Sequence, residues 1–320
     1  MLKAIFSVLI YFFITSNASG QEKDDSFFLI PFGYNFMRIG EQTIHQPAAG
    51  AGFMNGERSP PFNEINRRIL AFALYQPLIF KTNPYPDVPV HLHKIEALID
   101  GQINRHQLLF AFKSSSDKPV AGGLSTFKAG FGWGYELVRR PQVSLILGAA
   151  LGVSDFGLSL PSGAVWPLFP LPLLRFNVNS EWFSSSFYFL TGPNLSFTVA
   201  PKEKFRFTAD MRMENYHSIS DLIYEYIVWY RLFGTDHRLG DFAGIGFGIK
   251  NDAMDFFISQ SSATFELQQS SVIAVIDLFL FKIESGWIYK SRYMIDGKKD
   301  AGTGNGFFIS VQGILPIRKK

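Results

Sequence analysis

Phe127-Lys128-Ala129-Gly130-Phe131-Gly132-Trp133-Gly134-Tyr135-Glu136-Leu137 alternates without a break. Its odd positions carry Phe, Ala, Phe, Trp, Tyr and Leu, and its even positions carry Lys, Gly, Gly, Gly and Glu. Period two is the signature of a β-strand, because successive side chains leave a pleated strand on opposite faces. A half-buried strand of a water-soluble sheet would offer polar side chains on its second face. Here that face is glycine with a charge near each end, and the other is continuous and aromatic. Such a strand suits a wall whose outer side meets lipid and whose inner side lines a crowded, polar barrel lumen.

Working outward, the pattern recurs in both directions. In residues 27–37, Phe28, Ile30, Phe32, Tyr34 and Phe36 share a face. Residues 68–80, 93–104, 108–112 and 142–152 alternate in the same way, with Arg139-Arg140-Pro141 as the turn before the last of these. Pro77 predicts a bulge or an edge. Residues 170–179 and 182–190 make one predicted strand pair, and 194–200 with 205–213 another. In residues 242–250, Ala243, Ile245, Phe247 and Ile249 alternate with Gly244, Gly246, Gly248 and Lys250, almost repeating the opening stretch. Residues 307–317 form the last strand.

Three segments depart from the rule. Residues 40–66, with GAGFMNG and ERSPPF, read as a long loop or flap. Residues 155–169 are rich in Pro and Gly and too apolar for a solvated loop, so they are expected to fold against the barrel or plug it. Residues 262–294 lose their phase. The count is about twelve strands, with ten to fourteen tolerated, in a closed antiparallel transmembrane β-barrel of the all-β class. Closure is a physical requirement in lipid, where an open edge would leave backbone groups unpaired at several kcal/mol each.

Composition agrees with this class. The 320 residues include 34 Phe, and charged residues make up 18%, below the roughly 25% of soluble domains. After the N-terminus no run approaches the ~18 apolar residues of a transmembrane helix. A formal net charge of +3, spread without a basic stripe, gives no reason to expect nucleic acid. The chain has no cysteine, which excludes disulfides, thiolate metal sites and a cysteine nucleophile. Lys3, the apolar residues 4–15 and Ala18-Ser19-Gly20 have the layout of a cleaved signal peptide over residues 1–20, leaving an exported domain of residues 21–320.

The strand pattern resembles the uncharacterised outer-membrane β-barrel proteins of bacterial envelopes, known as a domain of unknown function. The residues that carry it are the signal peptide, the Gly/aromatic strands at 127–137 and 242–250, and the block LPLLRFNVNSEWFSSSFYFLTGPNLSFTVAPKEKFRF. Many such proteins end on an aromatic residue, whereas this chain ends Leu315-Pro316-Ile317-Arg318-Lys319-Lys320. The resemblance implies location in the bacterial outer membrane, with membrane lipid and the barrel-assembly machinery as partners. It assigns no chemistry, cofactor or metal.

Alternation turns Lys128, Glu136, Arg206, Asp210, Arg212, Glu214, Glu225, Arg231 and Lys250 toward the lumen. They form either a salt-bridged filling or a narrow mixed-charge pore for a small solute. His91 and His93 share a face but lack a third ligand for a metal. His217-Ser218, near Glu214 and Asp221, is the one compact set a lipid-active enzyme could use, though neighbours on a strand point apart and the pair needs a loop. Channel or passive transporter, enzyme of membrane lipid, and soluble exported barrel or sandwich are the three functional classes left open.

Overall fold

The computed structural model describes residues 25–59, 64–119, 126–153, 168–189, 193–213, 222–232, 243–278, 280–296, 298–302 and 304–318. They form strands β1 (Asp25–Ile39), β2 (Gln42–Ser59), β3 (Glu64–Phe80), β4 (His91–Ile103), β5 (His106–Ser116) and β6 (Phe127–Arg139). The next are β7 (Val143–Val153), β8 (Leu168–Asn179), β9 (Phe183–Phe189), β10 (Pro193–Val199), β11 (Phe205–Met213) and β12 (Leu222–Arg231). The last are β13 (Ala243–Ile258), β14 (Ala263–Leu278), β15 (Phe281–Ile295), β16 (Lys298–Gly302) and β17 (Gly306–Arg318).

All belong to one sheet in which chain neighbours pair antiparallel, and β1 pairs with β17 from Phe27↔Arg318 to Ile39↔Gly306. The sheet therefore closes into a barrel. Sixteen strands make its wall, since β16 only extends the end of β15. Both the first and last described strand ends lie at one rim, called here the terminal rim. Turns at that rim include Asn104-Arg105, whose Asn104 has φ 53°, and residues 140–142, closed by Arg140 N–H to the Val143 carbonyl at 2.9 Å. The opposite, loop rim carries the connections 81–90 and 117–126, and the terminal rim also carries one of similar length, 232–242.

The expected count of twelve strands is corrected to sixteen. Residues 40–66 are not a flap: β2 runs from Gln42 to Ser59 between β1 and β3. Its Ala48-Ala49-Gly50-Ala51-Gly52 run lacks the bulky alternation that marks a strand, but smallness is what the place demands. A Cβ on Gly50 would stand 2.3 Å from the Ala73 carbonyl oxygen. Residues 262–294 resolve into β14 and β15, whose pairing shifts at Ser270/Ser271. That irregularity is why their phase is lost in the sequence. Pro77 is neither edge nor bulge, because the β3–β4 pairing runs through it; the β2–β3 ladder instead lapses between Ala49↔Tyr75 and His45↔Ile79, where Pro47 and Pro77 lack N–H donors.

Large apolar side chains stand outward around the whole wall, among them Phe28, Phe131, Trp133, Leu151, Val228, Phe247, Trp287 and Ile317. In β6 the expected alternation is seen directly, with Phe131 53% exposed and Gly132 and Gly134 buried. Rings gather toward both rims. Tyr75 stacks on His93 and Tyr224 on Tyr226 toward the loop rim, and His106 stacks on Trp133 toward the terminal rim.

The interior is not a uniform tube. One apolar cluster near the loop rim joins Met37, Ile44, Leu78, Phe80, Leu92, Phe256, Phe265 and Phe308. A second joins Leu29, Leu70, Phe72, Leu98, Leu109, Ile146, Leu171 and Leu173. The glycine face of β6 is filled by this second cluster: a Cβ on Gly132 would meet Leu173 Cδ1 at 2.7 Å, and one on Gly134 would meet Ile146 Cγ2 at 2.7 Å. Of residues 155–169, expected to fold against the barrel or plug it, Leu168 and Phe169 instead begin β8, paired with Val153 and Gly152, and residues 155–167 lie outside the described residues, as do residues 1–20.

Candidate functional site: the lumen and its inner tie

Strands β5 and β13 stand eight places apart in either direction round the ring, yet they touch. Among the described residues, β13 has no partner on β12 beyond Asn251, and β5 has none on β6 beyond Ser114. These two unpaired edges meet in a parallel bridge, Phe257↔Ser116, with Asp117 N–H donating to the Phe257 carbonyl at 3.3 Å. The Ser259 N–H and hydroxyl both donate to Asp117 Oδ1 at 2.8 Å, and Ser116 Oγ donates to the same oxygen at 3.0 Å. Lower down, Lys113 Nζ reaches Asp255 Oδ1 at 3.2 Å.

The β13–β14 hairpin thus folds inward at the loop rim and lies against the far wall. Its Phe265 packs on Phe80 of β3 with ring centroids 6.0 Å apart, and Met254 Sδ accepts from Gln46 of β2 at 4.0 Å. Strands β1–β4, β12–β15 and β17 supply the first apolar cluster. The hairpin's other face, carrying Asp255, turns to the half of the lumen walled by β6–β12.

Asp117 lies in the β5–β6 connection, outside the wall. Partial burial acts to raise its carboxyl, but the hydrogen bonds from Ser259 and Ser116 outweigh that and hold it below its ordinary value.

The inner face carries charge in three linked sets. Asp100 of β4 accepts from Arg68 of β3 at 2.9 Å, from Arg175 of β8 at 3.3 Å and from Gln107 at 2.7 Å. Arg175 spans from β8 to β4 to reach it. Glu284 of β15 lies between Lys250 of β13 at 3.0 Å and Lys282 at 3.3 Å, while Lys282 also reaches Glu225 of β12 at 3.4 Å. Lys113 and Asp255 make the third set.

The sequence candidates fall as follows. Lys250 and Glu225 belong to the Glu284 network. Glu136 is buried and accepts from Gln102 at 3.2 Å and from Arg139. Arg231 donates to the Pro201 and Lys202 carbonyls at 2.7 and 2.8 Å, tying the β10–β11 turn to the wall. Arg206 lies over the Trp229 ring at 5.3 Å. Lys128, Asp210 and Arg212 are half-buried. Glu214, with His217, Ser218 and Asp221, lies outside the described residues. His93 meets the Tyr75 hydroxyl at 2.7 Å. Among the described residues no three His, Asp or Glu gather as a metal site.

Asp100, Arg68, Arg175, Lys282 and Glu284 were missing from the candidate set. The alternation of β4 already turned Asp100 away from Ile99, and that of β15 set Lys282 and Glu284 opposite Ile283, so the signal was there. Nothing in the sequence links Asp117 with Ser259. Chemically, the lumen presents fixed, mutually paired charges in a low-dielectric setting.

No family model matches the chain, and no curated protein matches it. Among solved structures it is similar to the outer membrane protein OprD from Pseudomonas aeruginosa, with 9% identity, 95% of this chain and 97% of that chain covered, and a TM-score of 0.40. Acinetobacter baumannii OccAB3 gives 9% identity, 92% and 100% coverage, and a TM-score of 0.37. The β domain of the Bordetella autotransporter BrkA gives 8% identity, 91% and 99% coverage, and a TM-score of 0.27. Likeness at this level carries no argument about activity.

Proposed function

We propose that the chain is an integral barrel of the bacterial outer membrane whose lumen is a narrow, charge-lined passage for small solutes. Membrane insertion is supported by the outward belt: a soluble barrel would leave Phe131, Phe247, Trp287 and their neighbours in water on every side. From Phe28 to Phe36 along β1 the belt runs eight residue steps, about 26 Å of strand, or roughly 20 Å along the membrane normal at a tilt of about 40°, most of an apolar band ~25 Å tall.

The observation that carries the narrow passage is the β5–β13 tie. A sixteen-stranded barrel with a clear interior holds a wide aqueous channel, whereas here an inward hairpin crosses to the far wall and apolar side chains fill the space beside it. What is left for water lies on the Asp255 face of the hairpin, toward β6–β12, where the pairs Lys113–Asp255, Arg175–Asp100 and Lys282–Glu225 favour neither sign strongly. Refolded protein in planar bilayers tests this. Small discrete conductance steps are expected, and larger ones when Asp117→Ala and Lys113→Ala are combined to free the hairpin. Silence from both proteins across a range of voltages would leave an envelope role in place of transport.

A further inference from the structure

One edge of the wall stands without a neighbour. Strand β8 pairs with β7 from Leu168 to Val178, but its pairing with β9 stops at Leu174↔Phe189, so among the described residues Leu168 to Leu173 have no partner on that side. At the same place on β4 and β6 the overhang is only His91 with Leu92, and Phe127 with Lys128. The cause is the height of the next two strands. Strands β9 and β10 have 7 residues each, six steps or about 20 Å of strand, which is roughly 15 Å along the membrane normal at a tilt of about 40°, against an apolar band ~25 Å tall. Only residues 190–192 join Phe189 to Pro193, too few to raise this hairpin to the level of Leu168.

The edge is built to stay open. Alternate residues of an antiparallel strand direct their N–H and C=O to opposite neighbours. The β7–β8 ladder runs unbroken through Leu151↔Pro170 and Ala149↔Pro172, so Phe169, Leu171 and Leu173 bond to β7 and both prolines face the gap. Of the gap-facing residues only Leu168 keeps an N–H, and a further strand could not zip onto such an edge. The gap also lies within the belt: Phe110, Phe131, Leu151 and Pro170 stand in one register row, all exposed. Just inside its lower lip the inward row is Arg175, Tyr188, Asn194 and Arg212. The Tyr188 hydroxyl is buried there with no hydrogen-bond partner among the described residues. Arg175 shares Asp100 with Arg68, so beside the row two guanidiniums meet one carboxylate.

We infer that the wall opens to the bilayer between β8 and the β9–β10 hairpin, and that a long-chain fatty acid sits in the opening. Its carboxylate lies on the row of Arg175, Tyr188, Asn194 and Arg212, and its chain leaves past Phe189, Pro172 and Pro170 into lipid. Guanidinium, phenol and amide groups all donate, which suits a carboxylate. The exit is apolar, which suits a chain. A short carboxylate would have no use for that exit, and a strand from another protein would find too few donors on β8. The assignment rests on membrane insertion, not on conductance.

The test uses the full chain in phosphatidylcholine nanodiscs, irradiated with palmitic acid that carries a diazirine at mid-chain, and the labelled residues are mapped by peptide mass spectrometry. Label is expected to concentrate on residues 168–173 and Phe189, well above the belt residues Val272 and Ile276 of β14. Arg212→Gln should lower the label at the lip about tenfold, the worth of one charge-assisted hydrogen bond, and leave β14 unchanged. Tyr188→Phe removes only a hydroxyl without a partner, so the fold should hold while the lip label falls in the same sense. The methyl ester of the probe should label the whole belt evenly, and butyrate in millimolar excess should not compete. Even labelling by the acid, equal labelling of the lip by acid and ester, loss of lip label to butyrate, or a lip label indifferent to both substitutions would overturn the site. No label anywhere on the outward belt would defeat membrane insertion itself, whereas a labelled belt without enrichment at the lip defeats only the opening.

Discussion

Asp117 takes two hydrogen bonds from Ser259, one from the backbone N–H and one from the hydroxyl, each at 2.8 Å, across 142 residues of sequence. The two sit at the ends of strands on opposite sides of the ring. Their contact converts a wide barrel into one with an inner partition, and solute size follows from whether that contact holds.

A disulfide trap follows from the bridge itself. The native chain has no cysteine, so Ser116→Cys with Phe257→Cys introduces the sole pair. Bridge partners lie about 5 Å apart between Cα atoms, within the range a disulfide spans. Oxidation should give an internal crosslink, seen as a faster band on non-reducing gels that reductant abolishes. Pairing Ser116→Cys with Trp182→Cys at the other rim should give none. Absence of the first crosslink in folded protein would mean that the hairpin does not rest on β5.

Acid should release the partition only late. The Asp117 carboxyl titrates below its ordinary value in the folded protein, so its contribution is present above the unfolded value, near pH 4, and is lost as pH falls through the lower folded one. Conductance is therefore expected to stay level from pH 7 to about pH 5 and to rise only in stronger acid. Asp117→Asn, lacking the charge, should show wider steps at neutral pH and no such rise. A transition near pH 6 in wild type would assign the gate to another group.

The wall was legible because lipid imposes the plainest pattern a strand can carry, and β6 showed it in eleven residues. Where the wall is made of small residues, as in Ala48 to Gly52 of β2, the pattern vanishes, since tight backbone approach selects glycine and alanine whatever the face. The inner charges were legible one strand at a time: Lys250 and Glu225 were visible as inward, but their common link to Glu284 depends on a register that alternation does not give. The partition is not readable from alternation alone: beyond Asn251 the apolar residues Met254, Phe256 and Ile258 change to the face opposite Ile245, Phe247 and Ile249, but nothing in the sequence says that the strand has left β12 and met β5.

Glycines of the wall should divide sharply by what lies over them. A Cβ at Gly248 would stand 1.9 Å from the Tyr226 carbonyl oxygen, a backbone atom that can move only with the strand, whereas one at Gly101 finds nothing nearer than 3.8 Å. Gly248→Ala should cost about 1–3 kcal/mol or more, and Gly101→Ala should be neutral or slightly stabilising. Urea midpoints of the two variants in detergent micelles compare them directly, and equal midpoints would contradict the packing described for β12 against β13.

Glu284 holds the most consequential charge in the lumen. It is 2% exposed and lies within 3.3 Å of two half-buried lysines, so its removal leaves Lys250 with only Asp252 at 3.7 Å and Lys282 with only Glu225 at 3.4 Å. Glu284→Gln should destabilise by about 3–5 kcal/mol, the usual cost of breaking a buried pair from one side. Removing Lys250 alone, as Lys250→Met, should cost less, because Glu284 keeps Lys282. The double variant Lys250→Met with Glu284→Gln should recover part of the loss, since the lysine that remains, Lys282, keeps Glu225. Chemical unfolding in micelles, arranged as a double-mutant cycle, measures the coupling. A Glu284→Gln loss under about 1 kcal/mol would mean that water reaches these charges and screens them, and the passage would then run past β13 and β15, not along β6–β12.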